Sequence, residues 1–329
     1  MTEVDIIIPF HRNPDRVLLK AVDSAKNSTG VKPNLILVDD RSHVDTFTVI
    51  PQLKSFKIIN SFGKGYAAAL NAGILETSSE YVAILNSDDL QDQNRIGEQV
   101  RRMRNASINV SISKLTKFGS ARPHFQLAGN QPTAGYSKNL LLLGPYGANA
   151  SLVMKTDFAQ SRIWDENCDM PDWKFAFNNY PEETILCSDE SYLYRIHKRQ
   201  ISRRPISNYS WLYEEWQKRF SSLGGNTLSP RVIQSIALPN KKIILTNQEF
   251  YELRHFFKTM ISHFEVLPES YYQETKSLLK RRLTIALAHA KNYQVLDLFD
   301  DIFSKSEILR DGLELGIKFV LNFDLARRI

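Results

Sequence analysis

The sequence predicts an α/β domain built on a mixed, mostly parallel sheet flanked by helices, followed by an all-α C-terminal region. Three observations predict this. Apolar runs of strand length alternate with helical patterns through the first third of the chain. Two of those runs end in adjacent carboxylates, at Asp39-Asp40 and at Asp88-Asp89. After about residue 205, strand signals nearly vanish. Strands alternating with helices at short spacing imply βαβ units and a parallel sheet, and right-handed crossovers would bring the ends of those strands to one edge.

Each element follows from its local pattern. Residues 4–8 (Val-Asp-Ile-Ile-Ile) read as the first strand, and 16–25 as a helix with Val17, Ala21, Val22 and Ala25 on one face. Residues 34–38 form a second strand that runs into Asp39-Asp40-Arg41-Ser42. A short helix around 45–53 and a strand at 56–59 follow. Residues 66–75 are an Ala-rich helix. The run Tyr81-Val-Ala-Ile-Leu85 is apolar without alternation, which is how a strand buried on both faces reads. The middle of the chain is less regular, with a Gly/Pro stretch at Gly144-Pro-Tyr-Gly147, a strand at 151–154 and a helix beginning near Asp172. Trp173, Ala176 and Phe177 share one face of that helix. Further on, Phe250, Leu253, Phe257, Met260, Ile261 and Phe264 keep helical spacing, as do Leu279, Leu283, Ala286, Leu287 and Ala290. Residues 313–325 are apolar almost all round, which suits a helix buried on several sides or used as an interface. The expected organisation is therefore 1–205 for the α/β domain and 206–329 for the helical one.

Composition narrows the function classes. A hydrophobic fraction of 43% with 24% charged residues is that of a globular protein with a sizeable core. Met1 leads straight into strand-like sequence, so no secretory signal is expected, and no apolar run reaches the about 18 residues of a membrane span. Cys168 and Cys187 are too few for a disulfide scaffold and read as reduced thiols of a cytoplasmic protein. The net charge of +6 concentrates at Arg101-Arg-Met-Arg104 and over residues 195–204. Such patches suit a nucleotide diphosphate, a polyanionic acceptor or an anionic membrane surface. No nucleic-acid-binding motif accompanies them, so no nucleic-acid partner is expected.

The chemistry lies at the strand ends. Asp88 and Asp89 would emerge in the crevice where open α/β sheets bind ligands. Adjacent carboxylates repel each other unless a hard cation joins them, and Mg²⁺ or Mn²⁺ held with a substrate diphosphate is the usual solution. The plainer alternative is that Ser87 and Asp88 cap a helix starting near Leu90. Four segments then come in order: Ile6-Ile-Ile-Pro-Phe-His-Arg12, Val38-Asp-Asp-Arg-Ser42, Gly63-Lys-Gly-Tyr-Ala-Ala-Ala-Leu-Asn-Ala-Gly-Ile74 and Leu85-Asn-Ser-Asp-Asp89. Trp164-Asp-Glu166, Pro171-Asp-Trp173 and Tyr194-Arg-Ile-His-Lys-Arg-Gln-Ile-Ser202 follow. Taken together, this series resembles the family 2 glycosyltransferases of GT-A (Rossmann-like) fold over roughly residues 3–205. Nothing beyond 205 carries a resemblance.

The resemblance implies an inverting, metal-dependent glycosyltransferase. It would move a sugar from a nucleotide sugar, most simply a UDP-sugar, to a hydroxyl of a glycan or lipid-linked glycan, as in bacterial surface polysaccharide synthesis. Pro9 and Phe10 would line the base pocket. Asp40, with Asp39 beside it, would accept from the pyrimidine ring, and a carboxylate suits an N–H donor when both are buried. The alternative for this pair is an Asx-type turn closed on Ser42. Lys64, between two glycines, would reach a ribose or phosphate; it also reads as a solvated loop lysine. Asn86 stands where relatives carry a first acid, and with Asp88 would serve the ribose. Asp88, Asp89 and His197 would hold the Mn²⁺ or Mg²⁺, the two aspartates being interchangeable at this stage. Asp172 is the expected general base, with Asp169 and then Asp189-Glu190 as fallbacks. The C-terminal helices are left as an acceptor module, an oligomer interface or a contact with the cytoplasmic membrane face. A nucleotidyltransferase and a binding-only relative stay open. A dinucleotide-dependent dehydrogenase does not fit, because Gly63-Lys-Gly65 lacks the third glycine of that fingerprint.

Overall fold

Val4, Ile6, Ile7 and Ile8 are wholly inaccessible to solvent, and the strand they anchor, β1, runs over Thr2–Phe10. The computed structural model describes residues 1–11, 15–42, 51–119, 136–143, 149–180, 184–197, 200, 209–238, 243–287 and 293–314. Helix α1 (Asp15–Lys26) leads to β2 (Val31–Asp39), a 3₁₀ turn at Pro51–Ser55 and β3 (Lys57–Asn60). Helix α2 (Tyr66–Leu75) and β4 (Tyr81–Ile84) follow. Then come β5 (Leu90–Gln91), α3 (Arg95–Ala106), β6 (Val110–Gly119), β7 (Tyr136–Ser137), β8 (Val153–Lys155), α4 (Thr156–Gln160), α5 (Pro171–Asn179) and β9 (Thr184–Ile196).

The sheet order is β3-β2-β1-β4-β8-β6-β9-β5, with β7 also paired to β9. Strands β3, β2, β1 and β4 run parallel, and so do β6 and β9; β8, β5 and β7 join antiparallel. The sheet is mixed, and its long ladders are parallel. Because β2 and β4 flank β1 on opposite sides, the chain reverses its direction of travel across the sheet at β1, the position where open α/β sheets hold ligands. Register puts Phe10 opposite Asp39, and Leu85 N–H donates to Ile7 O at 3.0 Å. The carboxyl ends of β1, β2 and β4 therefore share one edge. Helix α2 lies close over this half: a side chain at Gly73 would sit 2.6 Å from Ile7 Cγ2 and 3.1 Å from Val38 Cγ2.

Several expectations are corrected. The helix expected near Leu90 begins at Arg95, and Leu90–Gln91 is a short strand on β9. Ser87 and Asp88 thus cap no helix. The described part of the 45–53 segment is the 3₁₀ turn at Pro51–Ser55, and residues 43–50 lie outside the described residues. The irregular middle contains two long strands, β6 and β9, that its sequence did not announce. Also outside the described residues are Arg12, Gly144-Pro-Tyr-Gly147, Lys198, Arg199, residues 201–204, Ala290 and residues 315–329, as are the side chains of Cys187, Asp189, Glu190 and Leu313.

The chain divides into two compact units. One comprises Met1–Pro123, Thr133–Lys138 and Tyr146–Asn208; the other comprises His124–Pro132, Asn139–Pro145 and Tyr209–Ile329. In the second unit, α6 (Ser210–Ser222), α7 (Pro230–Ala237), α8 (Asn247–Phe264), α9 (Glu269–Leu287) and α10 (Lys305–Glu314) follow one another. Thr246 and Glu249 cap α8 reciprocally. Trp216, Phe220 and Phe256 form an aromatic core with centroids 5.2–5.3 Å apart, and Trp216 Nε1 donates to Leu142 O at 2.8 Å. Among the described residues no helix is long and apolar enough to cross a membrane.

Candidate active site

The end of β2 splits its two aspartates between two jobs. Asp39 is buried, and its Oδ1 accepts from Ser42 N at 2.8 Å, closing the Asx turn. Asp40 leaves the sheet on a backbone bond to Phe10 O, 2.8 Å, with Arg41 at φ 50° beyond it. The Asp40 carboxylate is half-buried and accepts from Gly65 N at 2.8 Å, and His11 Nδ1 lies 2.6 Å from Asp40 O. Gly65 adopts φ 100°, a conformation that glycine reaches without strain. Pro9 and Phe10 are buried at the end of β1, and Lys64 is exposed on the loop beside Asp40.

That loop is fixed from a second direction. Asn71, on α2, donates to Trp164 O and to Glu166 Oε1, both at 3.0 Å, and accepts from Trp164 N at 2.9 Å. A side chain at Gly63 would strike Glu166 Oε2. The 164–166 segment in turn carries α5. Trp164 stacks on Phe175, and Lys174 Nζ pairs with Asp165 Oδ2 at 2.5 Å. Asp172 lies in the first turn of α5 after Pro171. Burial there pushes its carboxyl up to about 7, against a small opposing contribution from backbone hydrogen bonding. Trp173 is buried core, and Asp169 is exposed before the helix.

The turn after β4 meets β9. Asp89 is 1% exposed. Its Oδ2 accepts from Tyr192 Oη at 2.6 Å and from Asn86 Nδ2 at 3.2 Å, and its Oδ1 accepts from Arg195 N at 2.7 Å. Burial, then the neighbouring Asp88 charge, pushes Asp89 up to about 7 in spite of these bonds. Asp88 faces the other way. Its Oδ2 lies 2.7 Å from His197 Nε2, with each side chain 32% accessible, and Arg195 Nε donates to Asp88 O at 2.6 Å. Asn86 Oδ1 is buried without a hydrogen-bond partner.

Among the expected residues, then, the structure joins Phe10 to Asp40, Asp40 to Gly65 beside Lys64, and Asp88 to His197. Asp172 reaches the first group through Phe175, Trp164 and Asn71. Among the described residues no group of three His, Cys, Asp or Glu side chains stands ready to enclose a metal.

Residues 5–156, from β1 to the start of α4, match the family description "Glycosyl transferase family 2". The chain carries a glycosyl transferase family 2 domain. Among curated proteins, this domain is similar to the Escherichia coli UDP-Glc:alpha-D-GlcNAc-diphosphoundecaprenol beta-1,3-glucosyltransferase WfaP, 32% identical over 116 residues covering 34% of this chain and 46% of that protein. An uncharacterized glycosyltransferase of Rickettsia bellii is 34% identical over 31% of this chain and 15% of its own length. The Campylobacter jejuni GalNAc(5)-diNAcBac-PP-undecaprenol beta-1,3-glucosyltransferase is 21% identical over 60% of this chain and 66% of its own. The first two of these alignments thus span less than half of the relatives. Among solved structures, Staphylococcus aureus TarS 1-349 in complex with UDP-GlcNAc superposes with a TM-score of 0.54 at 13% identity, covering 96% of this chain and 93% of that one. This likeness shows the GT-A fold.

Tyr192, beyond the matched segment, is not among the residues that the sequence singles out. A signal was present: Tyr192, Tyr194 and Ile196 alternate with Leu193 and Arg195, the period-2 pattern of a strand rich in aromatic residues.

Proposed function

We propose that this chain is an inverting, metal-dependent glycosyltransferase that moves a sugar from a UDP-sugar to a hydroxyl of a glycan or lipid-linked glycan in bacterial surface polysaccharide synthesis. The observation that carries the reading is the Asp88–His197 pair, 2.7 Å apart at the end of β4; Asp88 lies within the segment 5–156 that matches glycosyl transferase family 2, and His197 reaches it from the end of β9. A carboxylate oxygen and an imidazole nitrogen are the donor types Mn²⁺ accepts, and two protein ligands leave positions for diphosphate oxygens and water. Asp89 suits this role less, since three internal hydrogen bonds already occupy its buried carboxylate. Asp88 and His197 would hold the Mn²⁺ or Mg²⁺, which when bound stabilises charge on the departing diphosphate.

The chain's own groups supply the rest. Asp40, with Phe10 and Pro9, would take the pyrimidine ring, and Lys64 would face the ribose or phosphates. The buried Asn86 Oδ1 lacks a donor in the protein, so a ribose hydroxyl that donates to it would remove a desolvation cost. Asp172, raised to about 7, is suited to take the proton from the acceptor hydroxyl as that oxygen attacks the anomeric carbon opposite the diphosphate. The undecaprenol-diphosphate acceptors in the names of the E. coli and C. jejuni relatives favour a lipid-linked acceptor. Contact with the cytoplasmic membrane face, and an acceptor-binding or oligomer-forming role for residues 206–329, belong to the same reading.

The test is release of UDP from a panel of UDP-sugars, with and without Mn²⁺, in the presence of lipid-linked glycan acceptors. Metal-dependent UDP release with one donor is expected, and Asp172→Asn should keep UDP binding while losing turnover. Turnover in chelator at the full rate would overturn the metal reading. Tight UDP binding with no turnover on any donor would favour a binding-only relative.

A further inference from the structure

We infer that Tyr192 is a positioning residue for the Asp88–His197 pair, acting through Asp89; the inference rests on reading that pair as the metal-binding arm. Tyr192 is wholly buried in β9, and its single hydroxyl serves two groups of the turn after β4. It donates to Asp89 Oδ2 at 2.6 Å and accepts from Asn86 N at 3.3 Å. Three residues on, Arg195 N donates to Asp89 Oδ1 at 2.7 Å, and Arg195 Nε donates to Asp88 O at 2.6 Å. Strand β9 therefore grips both ends of residues 86–89 and the carbonyl between Asp88 and Asp89, and it delivers His197 to Asp88 from the same strand end. Asp89 is 1% exposed and directs its bonds inward, so it aims its neighbour instead of meeting a ligand.

The tyrosine is itself held. The Arg95 guanidinium lies 5.4 Å from the centre of its ring. Arg95 is fully buried and tied to Gln91 Oε1, Gln99 Oε1, Ser151 O and Ile84 O, so the cation beneath the ring is itself fixed to the last residue of β4. Loss of the Tyr192 hydroxyl would leave Asn86 N and Asp89 Oδ2 without their shared atom, and the turn would no longer specify where the Asp88 carboxylate points. Groups that orient metal ligands from outside typically change metal affinity by about 10–100-fold when removed.

The experiment measures Mn²⁺ binding to the full chain by electron paramagnetic resonance, with and without UDP, for wild type, Tyr192→Phe, Asp89→Asn and Asp88→Asn, alongside each thermal midpoint. Tyr192→Phe keeps the ring over Arg95 and is expected to weaken Mn²⁺ about 10-fold while remaining folded at the assay temperature. A purely structural tyrosine would lower the midpoint and leave the Mn²⁺ affinity of the folded protein within twofold of wild type; that result overturns the inference. If Tyr192→Phe does not fold, Asp89→Asn decides. An affinity between wild type and Asp88→Asn supports positioning, whereas loss as complete as in Asp88→Asn makes Asp89 a ligand, and wild-type affinity makes it irrelevant. Either of those extremes overturns the inference. A wild type that binds no Mn²⁺ in either condition removes the Asp88–His197 reading itself, and the role of Tyr192 with it.

Discussion

The rings of Trp164 and Phe175 stack face to face, centroids 3.7 Å apart and planes 2° from parallel. This couples two segments that the sequence separates by a polar loop. Phe175 sits one helical turn after Asp172, and the Trp164 backbone is pinned at both N–H and C=O by one side chain, Asn71. The placement of Asp172 is thus referred back to α2.

Asn71→Ala tests that coupling. It would leave the N–H and C=O of the buried Trp164 unpaired and free Glu166, a loss of about 1–3 kcal/mol. Urea denaturation should report that cost. On the proposed reaction, kcat should fall while UDP affinity stays within a few-fold. A variant that lost UDP binding and kept kcat would place Asn71 at the nucleotide and not behind the base.

Asp172 gives a pH prediction. A base raised from the usual carboxylate range to about 7 accepts protons only above that pH, so kcat should climb through pH 6–8 and level off beyond. The same shift has a stability consequence. The folded state holds this proton where the unfolded chain has released it, so stability falls as pH rises from about 4 to about 7. Asp172→Asn removes that penalty and should raise the thermal midpoint by ~2 °C at pH 8 and hardly at all at pH 4. An unchanged difference between the two pH values would mean that Asp172 titrates normally.

Much of this was legible in sequence. Residues 66–75 read as a helix and are one to the residue, because Ala-rich sequence between Gly65 and a polar loop leaves little choice. The apolar runs at β1, β2 and β4 likewise announced strands, the last of them as one buried on both faces. What was not legible depends on distant partners. Strand β6 (Val110–Gly119) alternates serine, lysine and threonine with apolar residues and finds its identity in the ladder to β9. The opposite orientations of Asp88 and Asp89 are set by Tyr192, Arg195 and His197 more than a hundred residues later. Adjacent identical residues could not be told apart without them. Asp39 and Asp40 posed the same ambiguity, settled by Ser42 for one and by Gly65 for the other.

The Gly63-Lys-Gly65 loop should tolerate its two glycines differently. Gly63→Ala would drive a methyl group into Glu166 and to 2.7 Å from Ala68 Cβ, an overpacking cost of about 1–3 kcal/mol. Gly65→Ala meets open space but must hold φ 100°, at roughly 1–2 kcal/mol of backbone strain, and the group displaced is the N–H that Asp40 accepts. Gly65→Ala should therefore weaken UDP more than it destabilises the fold, and Gly63→Ala the reverse. Calorimetric titration of UDP beside urea denaturation separates the two.

Arg95 is the sharpest test of the scaffold beneath the turn. It is fully buried, and its bonds within the protein go to neutral acceptors, the Gln91 and Gln99 amides and the Ser151 and Ile84 carbonyls. Burial accordingly pulls its guanidinium down to about 10. Arg95→Met would match the stem of the side chain and take the guanidinium from Gln91 Oε1, Gln99 Oε1 and Ile84 O, while Ser151 O keeps its bond from Gln99 Nε2; each unpaired acceptor costs about 1–3 kcal/mol before relaxation. A net loss of about 3–5 kcal/mol is expected, comparable to breaking a buried ionic network, with a lower urea midpoint and an unchanged m-value. Arg95→Lys should not rescue it, since one ammonium cannot span the acceptors that the planar fork reaches. A loss under 1 kcal/mol for Arg95→Met would mean that Gln91 and Gln99 re-pair with each other, and that Tyr192 keeps its place without the cation beneath its ring.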